Sequence, residues 1–431
     1  MSDDASLTEL RERLVAEVLA TSGIRDERIA AALRDVPRHL FLPHLPPEEA
    51  YLDDAIVTKR DADGQPMSSS SQPAIMAIML YQLGLAPGQR VLEIGAGTGY
   101  NAALIRHIVG ASGTVVSVDI EADLVDRARE HLASAGYPGV TVVAADGAEG
   151  YPPGAPYDRV IATVGVSDLA PAWLHQTGPD ARIVVPLDVR GSQLAVAFGR
   201  TGPVQPGSAG HWVSRSIAPC GFMRMRGSLA GPERIVVLQP RLSVTLPDGL
   251  MLADGQEVDG AALAAFLDGP PTEFATGVRA SSLQVFWALG LWLAAGDRRS
   301  CGVTEEWPSG PGDGAAARLA RAPLRGHRIL ATAGIVDSGG IAVLTADQPA
   351  VDGRSGQLAL SVAGFGPHGP ELGTALAAHV QAWDRAGQPG AAGLHVDAYP
   401  RSSPDDPASS SLASDALLIE RPATRFVVYH T

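Results

Sequence analysis

The chain is poor in cysteine, with only Cys220 and Cys301 among its 431 residues. Two thiols cannot supply the disulfide framework of a small secreted protein, and they have no metal-ligand spacing. We therefore expect two buried free thiols, a reducing compartment and no bound metal ion. Long hydrophobic runs are also missing, since the longest, 283–295, is too short to cross a bilayer. The acidic N-terminus lacks the basic and apolar stretches of a signal peptide, so we expect a soluble, cytoplasmic protein.

Positive charge is scarce as well. Lys and Arg number 33 against 47 Asp and Glu, which gives a formal net charge of −14. A surface with this excess repels phosphate backbones and anionic lipids, so we expect neither nucleic acid nor a membrane as the main partner. Hydrophobic residues make up 45% of the chain, enough for two ordinary domains, which excludes disorder of the whole.

Short β-branched runs alternate with helix-length segments between residues 90 and 187. This alternation predicts an α/β fold with a parallel, doubly wound, Rossmann-like sheet. Upstream, apolar residues spaced by three and four over 7–33 and 73–83 predict helices, the first set broken near Ser22 and Gly23. Residues 43–72 are rich in Pro, Asp, Gly and Ser, and we expect an ordered loop there.

Pro-Gly-rich linkers end shortly before residue 234, where a new strand pattern begins. We therefore predict an N-terminal helical cap with a substrate loop at 1–83, a central cofactor-binding domain at 84–231 and a C-terminal α/β domain at 234–431. Helices of that last domain are expected near 258–267, 283–295 and 371–387. Two inserts, 305–317 and 400–415, have compositions typical of flexible segments.

A glycine motif, VLEIGAGTGY at 91–100, joins the first central strand to a helix. Its glycines, Gly95, Gly97 and Gly99, allow a tight turn and close approach of a ligand to the helix N-terminus. Dinucleotide sites prefer G-x-G-x-x-G, whereas G-x-G-x-G behind an acidic residue favours a ligand that carries an amino acid. Glu93 would attract, through solvent, the ammonium and sulfonium charges of S-adenosylmethionine, while the loop N–H groups take its carboxylate.

Acidic residues end the next two strands. Asp119 can accept both ribose hydroxyls, and Asp146, beside Gly147, can accept from an adenine amino group. Each acid alone is more typical of a turn or a cap. A tight turn and two turn aspartates would account for the glycine motif, Asp119 and Asp146 separately, but not for their positions at the ends of successive strands. We therefore predict an S-adenosylmethionine site.

These motifs resemble those of the protein-L-isoaspartate O-methyltransferases. VLEIGAGTGY, VDIEADLVDRA and ADGAEGY are similar to their S-adenosylmethionine motifs, and VPRHLFLP, YLDDAI, SSSSQPAIMAIML and YDRVIATVGVSDLAPAWLHQ stand in the family's order. The resemblance covers roughly residues 5–200 and implies a class I methyltransferase with S-adenosylmethionine as its cofactor. It implies cofactor contacts at Glu93, Gly95, Gly97, Gly99, Asp119, Ile120, Asp146 and Gly147. On the substrate side it implies Ser69, Ser70 and Thr163, with Ser71 as the catalytic residue where cofactor and substrate carboxylate meet.

The implied reaction needs no general base, because a carboxylate acceptor is already ionised near pH 7. The enzyme has to align the acceptor oxygen with the methyl group, about 3 Å apart. Ser69, Ser70 and Ser71 offer hydroxyl donors for this purpose. A Ser-rich run before a helix is also an ordinary N-cap, and that alternative stays open.

About 200 residues follow the region of resemblance. This extension resembles that of methyltransferases of ribosomally made, modified peptides such as lanthipeptides, lasso peptides and ATP-grasp-linked peptides, through 283–297, 393–400 and 424–431. It implies methylation of an Asp or isoAsp carboxylate in a macrocyclic precursor peptide, followed by aspartimide formation. The alternatives are a general isoaspartate repair enzyme and a noncatalytic scaffold that retains the cofactor pocket. The C-terminal domain could also merely pack or dimerise.

Overall fold

The computed structural model describes residues 2–62, 64, 66–201, 210–231, 234–247, 249–306, 321–325, 329–347, 356–401 and 416–430. The chain divides into two units. The first consists of Met1–Leu187, Gln193–Gly231 and His395–Thr431, and the second of Asp188–Ser192 and Pro232–Leu394.

The first unit begins with helices. These are α1 Ser2–Ser22, α2 Glu27–Asp35, α3 Pro47–Ala50 and α4 Pro73–Leu83, with a 3₁₀ turn at Arg38–Phe41. The predicted helices and the break near Ser22 are confirmed, and Gly23 adopts a φ of 68° at the break. The loop predicted at 43–72 is wrong in part, because it contains the antiparallel hairpin of β1 Ile56–Arg60 and β2 Pro66–Ser70.

The predicted parallel sheet is present. Its strands are β3 Arg90–Ile94, β4 Thr114–Asp119, β5 Thr141–Ala144, β6 Tyr157–Ala162 and β7 Thr177–Val189, in the order β5-β4-β3-β6-β7. The intervening helices are α5 Tyr100–Val109, α6 Ala122–Ser134 and α7 Pro171–His175, with 3₁₀ turns at Gly147–Glu149 and Pro152–Gly154. Strand order reverses between β3 and β6, the point where an open α/β sheet leaves a crevice at its carboxyl ends. The first unit therefore has the predicted α/β architecture, built on a doubly wound parallel sheet.

Two further strands, β8 Ser192–Thr201 and β9 His211–Pro219, extend this sheet beyond β7 and pair antiparallel with each other. Trp212 on β9 is fully buried, and the Arg200 guanidinium lies 4.7 Å from the centre of its ring. Cys220, just after β9, is a buried free thiol, as is Cys301 in the second unit. The expectation of two buried thiols is confirmed.

The second unit is built on an eight-stranded sheet with the order β10-β11-β13-β15-β16-β17-β12, and β14 pairs with β15. The strands are β10 Ile235–Gln239, β11 Leu242–Thr245, β12 Thr272–Ser281, β13 Ser300–Glu306, β14 Leu324–Arg325, β15 Ile329–Asp337, β16 Gly340–Ala346 and β17 Gln357–Phe365. The helices are α8 Gly260–Leu267, α9 Ser282–Gln284, α10 Gly290–Gly296 and α11 Gly369–Arg385, with a π-helical turn at Val285–Leu289 between α9 and α10. One core includes Leu372, Leu376, Val380 and Trp383 of α11.

The last strands return to the first unit. β18 Leu394–Pro400, β19 Leu417–Glu420 and β20 Thr424–His430 complete a ten-stranded sheet in which β18 pairs antiparallel with β9. The Ala423 N–H also donates to the buried Asp168 carboxylate at 2.7 Å. The predicted single domain at 234–431 is therefore corrected, because backbone pairing places β18, β19 and β20 in the sheet of the first unit.

The two segments predicted to be flexible, 305–317 and 400–415, lie mostly outside the described residues, which include neither 307–317 nor 402–415. Among the ends that are described, Glu305, Glu306 and Pro400 belong to strands. Within the described ranges, no helix combines the length and apolar character needed to cross a membrane. The same ranges contain no group of three or more His, Cys, Asp or Glu side chains that could hold a metal ion.

Candidate active site

A solvent-open cavity lies in the first unit beside the carboxyl ends of β3, β4 and β6. Four groups of predicted residues line it: the serine segment, two loop glycines, the end of β4, and positions after β5 and β6. They are Ser69, Ser70, Ser71, Gly95, Gly97, Asp119, Ile120, Gly147 and Thr163. The structure therefore brings together residues that the sequence spreads over about a hundred positions.

The three motif glycines serve two purposes. Gly95 and Gly97 line the cavity and have φ values of 100° and 51°, which favour glycine. A Cβ on Gly95 would lie 2.8 Å from the Thr163 hydroxyl oxygen. Gly99 does not line the cavity, since a Cβ there would meet Leu132 and the Ala128 carbonyl oxygen of α6 at 3.2 and 3.3 Å. Gly99 therefore allows close packing of helices and not ligand approach.

Asp119 holds the glycine loop from the end of β4. One carboxylate oxygen accepts from the Gly97 N–H at 3.0 Å, and the other accepts from the Glu121 N–H at 3.1 Å. Ile120, 41% exposed, lines the cavity beside it. Each Asp119 oxygen keeps a second lone pair for a ligand hydroxyl.

Glu93 is not where the sequence predicted it. Its side chain is fully buried and does not line the cavity. Its carboxylate accepts from Asn101 Nδ2 at 2.7 Å and from Ser117 Oγ at 2.5 Å. Burial raises the pKa of Glu93 to about 7, although these two hydrogen bonds oppose the increase. Asn101 lines the cavity, so it lies between the Glu93 carboxylate and the cavity, and the predicted attraction through solvent does not fit this buried position.

Asp146 also lies outside the cavity lining, whereas its neighbour Gly147 belongs to it. The Asp146 carboxylate caps a 3₁₀ turn by accepting from the Ala148 N–H at 2.9 Å, and it accepts from the Ser228 N–H at 2.7 Å. Burial acts to raise the pKa of Asp146, but these N–H donors outweigh it and the pKa is lowered. The cap interpretation describes this residue better than the predicted contact with adenine.

Ser69 and Ser70 lie on β2, and Ser71 follows before α4. The N-cap residue of α4 is Gln72, and its side chain makes no capping bond. The Asp53 carboxylate instead accepts from the Ala74 N–H at 2.8 Å. The interpretation of Ser71 as a helix cap is therefore not supported by the geometry.

Arg38 fixes the backbone around Ser71. Its guanidinium is fully buried and donates to the carbonyl oxygens of Ala50 at 2.8 Å, Ser71 at 3.3 Å and Asp54 at 3.3 Å. It also lies 5.1 Å from the centre of the Tyr100 ring, which lines the cavity. Burial lowers the pKa of Arg38. Sequence reasoning quoted Arg38 within a motif but gave it no role.

Sequence reasoning also missed residues 223–226, which line the cavity. The Gly165 N–H donates to the Met223 carbonyl at 2.7 Å, and the Met225 N–H donates to the Gly165 carbonyl at 2.8 Å. These bonds hold the segment beside the loop that follows β6. The alternating Met and Arg residues of FMRMRG are the one pattern in the sequence that marks this segment as a strand-like part of the fold. The Pro-Gly-rich stretches on either side of it led us to predict linkers, and we assigned no role to the segment between them.

The sequence is similar to that of known methyltransferases. Residues 9–206 match the family model described as protein-L-isoaspartate(D-aspartate) O-methyltransferase. A protein-L-isoaspartate O-methyltransferase of Methanopyrus kandleri is 40% identical over 192 residues, which cover 44% of this chain and 82% of the relative. One of Methanoculleus marisnigri is 42% identical over 196 residues, covering 45% of this chain and 85% of the relative. The chain belongs to the protein-L-isoaspartate O-methyltransferase family.

As a member of this family, the protein is an S-adenosylmethionine-dependent carboxyl O-methyltransferase. Its cavity fits the cofactor, because two loop glycines leave room for close approach and a strand-end carboxylate has free lone pairs. A solved protein-L-isoaspartate O-methyltransferase structure aligns with 90% of this chain and 96% of its own, at 24% identity and a TM-score of 0.47. The family match ends at residue 206, before 223–226 and most of the second unit.

Proposed function

We propose that this protein transfers a methyl group from S-adenosylmethionine to the free carboxylate of isoaspartyl residues in peptides and proteins. The observation that carries the proposal is the single cavity that joins Ser71 to the glycine loop and Asp119. The two relatives, whose names state this activity, share 40% and 42% identity over 192 and 196 residues.

The cofactor would be held by residues from three strand ends. The glycine loop at Gly95 and Gly97 would take its amino acid part, and Asp119 would accept from its ribose hydroxyls. Ile120 and Gly147 would flank the adenine, since both line the same cavity. When bound, S-adenosylmethionine supplies a methyl group made electrophilic by its sulfonium.

The acceptor carboxylate would lie against Ser69, Ser70 and Ser71. Their hydroxyls can donate to an ionised carboxylate without removing a proton, so catalysis rests on alignment. The Arg38 bond to the Ser71 carbonyl fixes the segment. The Thr163 hydroxyl lies 2.7 Å from the Gly95 carbonyl and donates to it, so Thr163 would act mainly by shaping the substrate side.

Two alternative functions are less well supported: modification of a ribosomal precursor peptide and a noncatalytic scaffold. Modification of a macrocyclic ribosomal precursor rests on residues 283–297, 393–400 and 424–431, all of which lie beyond the family match, and the named relatives favour isoaspartyl repair over it. A noncatalytic scaffold would have no need of a serine segment ordered beside the cofactor loop. We therefore place isoaspartyl methylation first.

The test is a methylation assay with the full-length protein and an isoaspartyl peptide. We expect a base-labile methyl ester on the isoaspartyl carboxylate. Ser71→Ala should lower single-turnover rate by about tenfold or more while the affinity for S-adenosylhomocysteine stays within about twofold. Cofactor binding by the wild type without ester formation would contradict the proposal and support a scaffold.

A further inference from the structure

Two segments that line the cavity are tied to one carboxylate. Lys59 on β1 places its ammonium 2.6 Å from one oxygen of Glu121. Arg226 places its guanidinium 2.5 Å from the other oxygen. Lys59 also pairs with Asp123, and Asp123 pairs with Arg127, both at 2.6 Å, so five charges form one network.

Both cations belong to segments with cavity contacts. Lys59 lies opposite Ser68 in the β1–β2 hairpin, and residues 67–70 of β2 line the cavity. Arg226 lines the cavity itself, with 223–225 before it. Glu121 follows the cavity residues Asp119 and Ile120 directly. The network therefore connects three separate parts of the cavity wall.

The Glu121 side chain is used for these ion pairs and not for capping its own helix. Glu121 is the N-cap residue of α6, but its side chain makes no capping hydrogen bond. Hydrogen bonds from Lys59 and Arg226 lower the pKa of Glu121, so its carboxylate stays charged at neutral pH. The side chains of Lys59, Glu121 and Arg226 remain 21%, 25% and 36% exposed, which leaves the pairs accessible to salt.

We propose that Glu121 is a positioning residue for cofactor retention: through Lys59 and Arg226 it holds the β1–β2 hairpin and residues 223–226 against the cavity. The inference rests on the proposed placement of S-adenosylmethionine in this cavity. Release of cofactor or product then requires these ion pairs to break. Because exposed pairs are screened by ions, release should become faster as ionic strength rises.

The experiment measures the dissociation rate of S-adenosylhomocysteine from the full-length protein by stopped-flow displacement, between about 0.05 and 0.5 M salt. Glu121→Gln should raise this rate by about three- to tenfold at low salt, since each partly exposed ion pair contributes a factor of up to about five. Wild type should approach the rate of the variant at high salt. Asp126→Asn is the matched control and should change nothing, because it removes the charge of the exposed Arg129–Asp126 pair on the same helix and leaves the Arg129 bonds to the Val142 carbonyl in place.

A direct contact between Glu121 and the cofactor predicts a different pattern. If Glu121 acts through Lys59 and Arg226, then Lys59→Met and Arg226→Met should each speed up dissociation of S-adenosylhomocysteine by part of the amount seen in Glu121→Gln. Combining either of them with Glu121→Gln should give no further increase in the dissociation rate. Hydrogen exchange of the protein without cofactor should also show faster exchange of hairpin amides in Glu121→Gln than in wild type.

The inference is overturned if the dissociation rate does not depend on salt, or if Lys59→Met and Arg226→Met leave it unchanged while Glu121→Gln raises it. Unchanged hairpin exchange in Glu121→Gln would also contradict it. Failure of the proposed function is a separate result, because it would appear as absence of cofactor binding or of methyl transfer in the wild type.

Discussion

At the scale of single residues, Gly97 offers the sharpest test of the cofactor loop. Its φ is 51°, and a Cβ there would lie 3.5 Å from the Ser69 carbonyl, on the cavity side. We expect Gly97→Val to abolish measurable binding of S-adenosylmethionine by calorimetry, because the branched side chain would occupy the ligand's space.

Gly136→Val is the matched control. Gly136 ends α6 with a φ of 85°, but a Cβ there would meet nothing within 4 Å. Both variants should lose about 1–2 kcal/mol of stability from backbone strain, and only Gly97→Val should lose the ligand. Normal binding by Gly97→Val would remove this loop from the site.

Glu93 should make stability depend on pH. Its folded pKa of about 7 lies above the value of about 4.3 for an exposed glutamate. Between these values the folded state holds a proton that the unfolded state has lost, so the free energy of unfolding falls as pH rises. Glu93→Gln should therefore gain roughly 3 kcal/mol relative to wild type between pH 4.5 and 7.5. Urea unfolding at several pH values measures this, and parallel curves for the two proteins would refute it.

The residues predicted from sequence line the cavity where strand order decides their position, and lie away from it where burial or capping does. Asp119 and Gly97 line the cavity because a strand end and a glycine turn place them there. Glu93 and Asp146 have the same kind of sequence signal, but one side chain faces the interior and the other caps a turn. Side-chain direction at a strand end depends on tertiary packing, which the motif does not contain.

At the scale of elements, the junction between Ser71 and α4 depends on Asp53. Its carboxylate accepts from the Ala74 N–H at 2.8 Å and from Gln72 Nε2 at 3.1 Å. Asp53→Ala should cost about 1 kcal/mol of stability, as loss of a helix cap does. It should also lower turnover by about tenfold, because misplacement of the adjoining Ser71 disturbs alignment.

Asp259→Ala serves as the comparison. Asp259 caps α8 in the second unit by accepting from the Ala261 and Ala262 N–H groups, both at 3.0 Å. Its loss should lower stability by a similar amount without changing methylation. Thermal unfolding and turnover measured on the same samples separate these effects. Equal turnover in Asp53→Ala and wild type would show that the helix end does not position Ser71.

Element predictions were accurate where periodicity is strong. The spacing at 73–83 predicted α4 with the bounds that the structure has, and five β-branched runs predicted β3 to β7. The β1–β2 hairpin was missed because Pro, Asp and Ser around it are typical of loops. Its register includes irregularities between Val57 and Arg60, which weaken the alternating pattern of a strand.

At the scale of the whole molecule, the C-terminal strands decide which fragments can fold. A chain ending at Gly231 lacks β18 to β20, so β9 keeps its pairing with β8 but loses that with β18, and Asp168 loses the Ala423 N–H. β9 and β18 are adjacent in the sheet but lie about 180 residues apart in the chain, and the periodicity of a sequence does not predict which distant strands pair. This is why the domain boundary predicted near residue 234 placed the chain end in the wrong unit.

We expect truncation after Gly231 to give an aggregating protein. Deletion of 232–394 alone, with a Gly-Ser linker of about twenty residues in its place, should leave a folded protein. This internal deletion should bind S-adenosylhomocysteine within about threefold of wild type, because all cavity residues belong to the first unit. Calorimetry and circular dichroism on both proteins check this. A folded, ligand-binding truncation at Gly231 would contradict the role given to β18 to β20.

The central claim is that the intact protein methylates isoaspartyl carboxylates. The most direct measurement is kcat/KM for three peptides of one sequence: a linear isoaspartyl form, a linear aspartyl form and a macrocyclic aspartyl form. The account predicts that the linear isoaspartyl peptide is preferred by about a hundredfold or more, since a site built for one carboxylate position rejects the other. Preference for the macrocycle, with the linear isoaspartyl peptide left unmethylated, would contradict it.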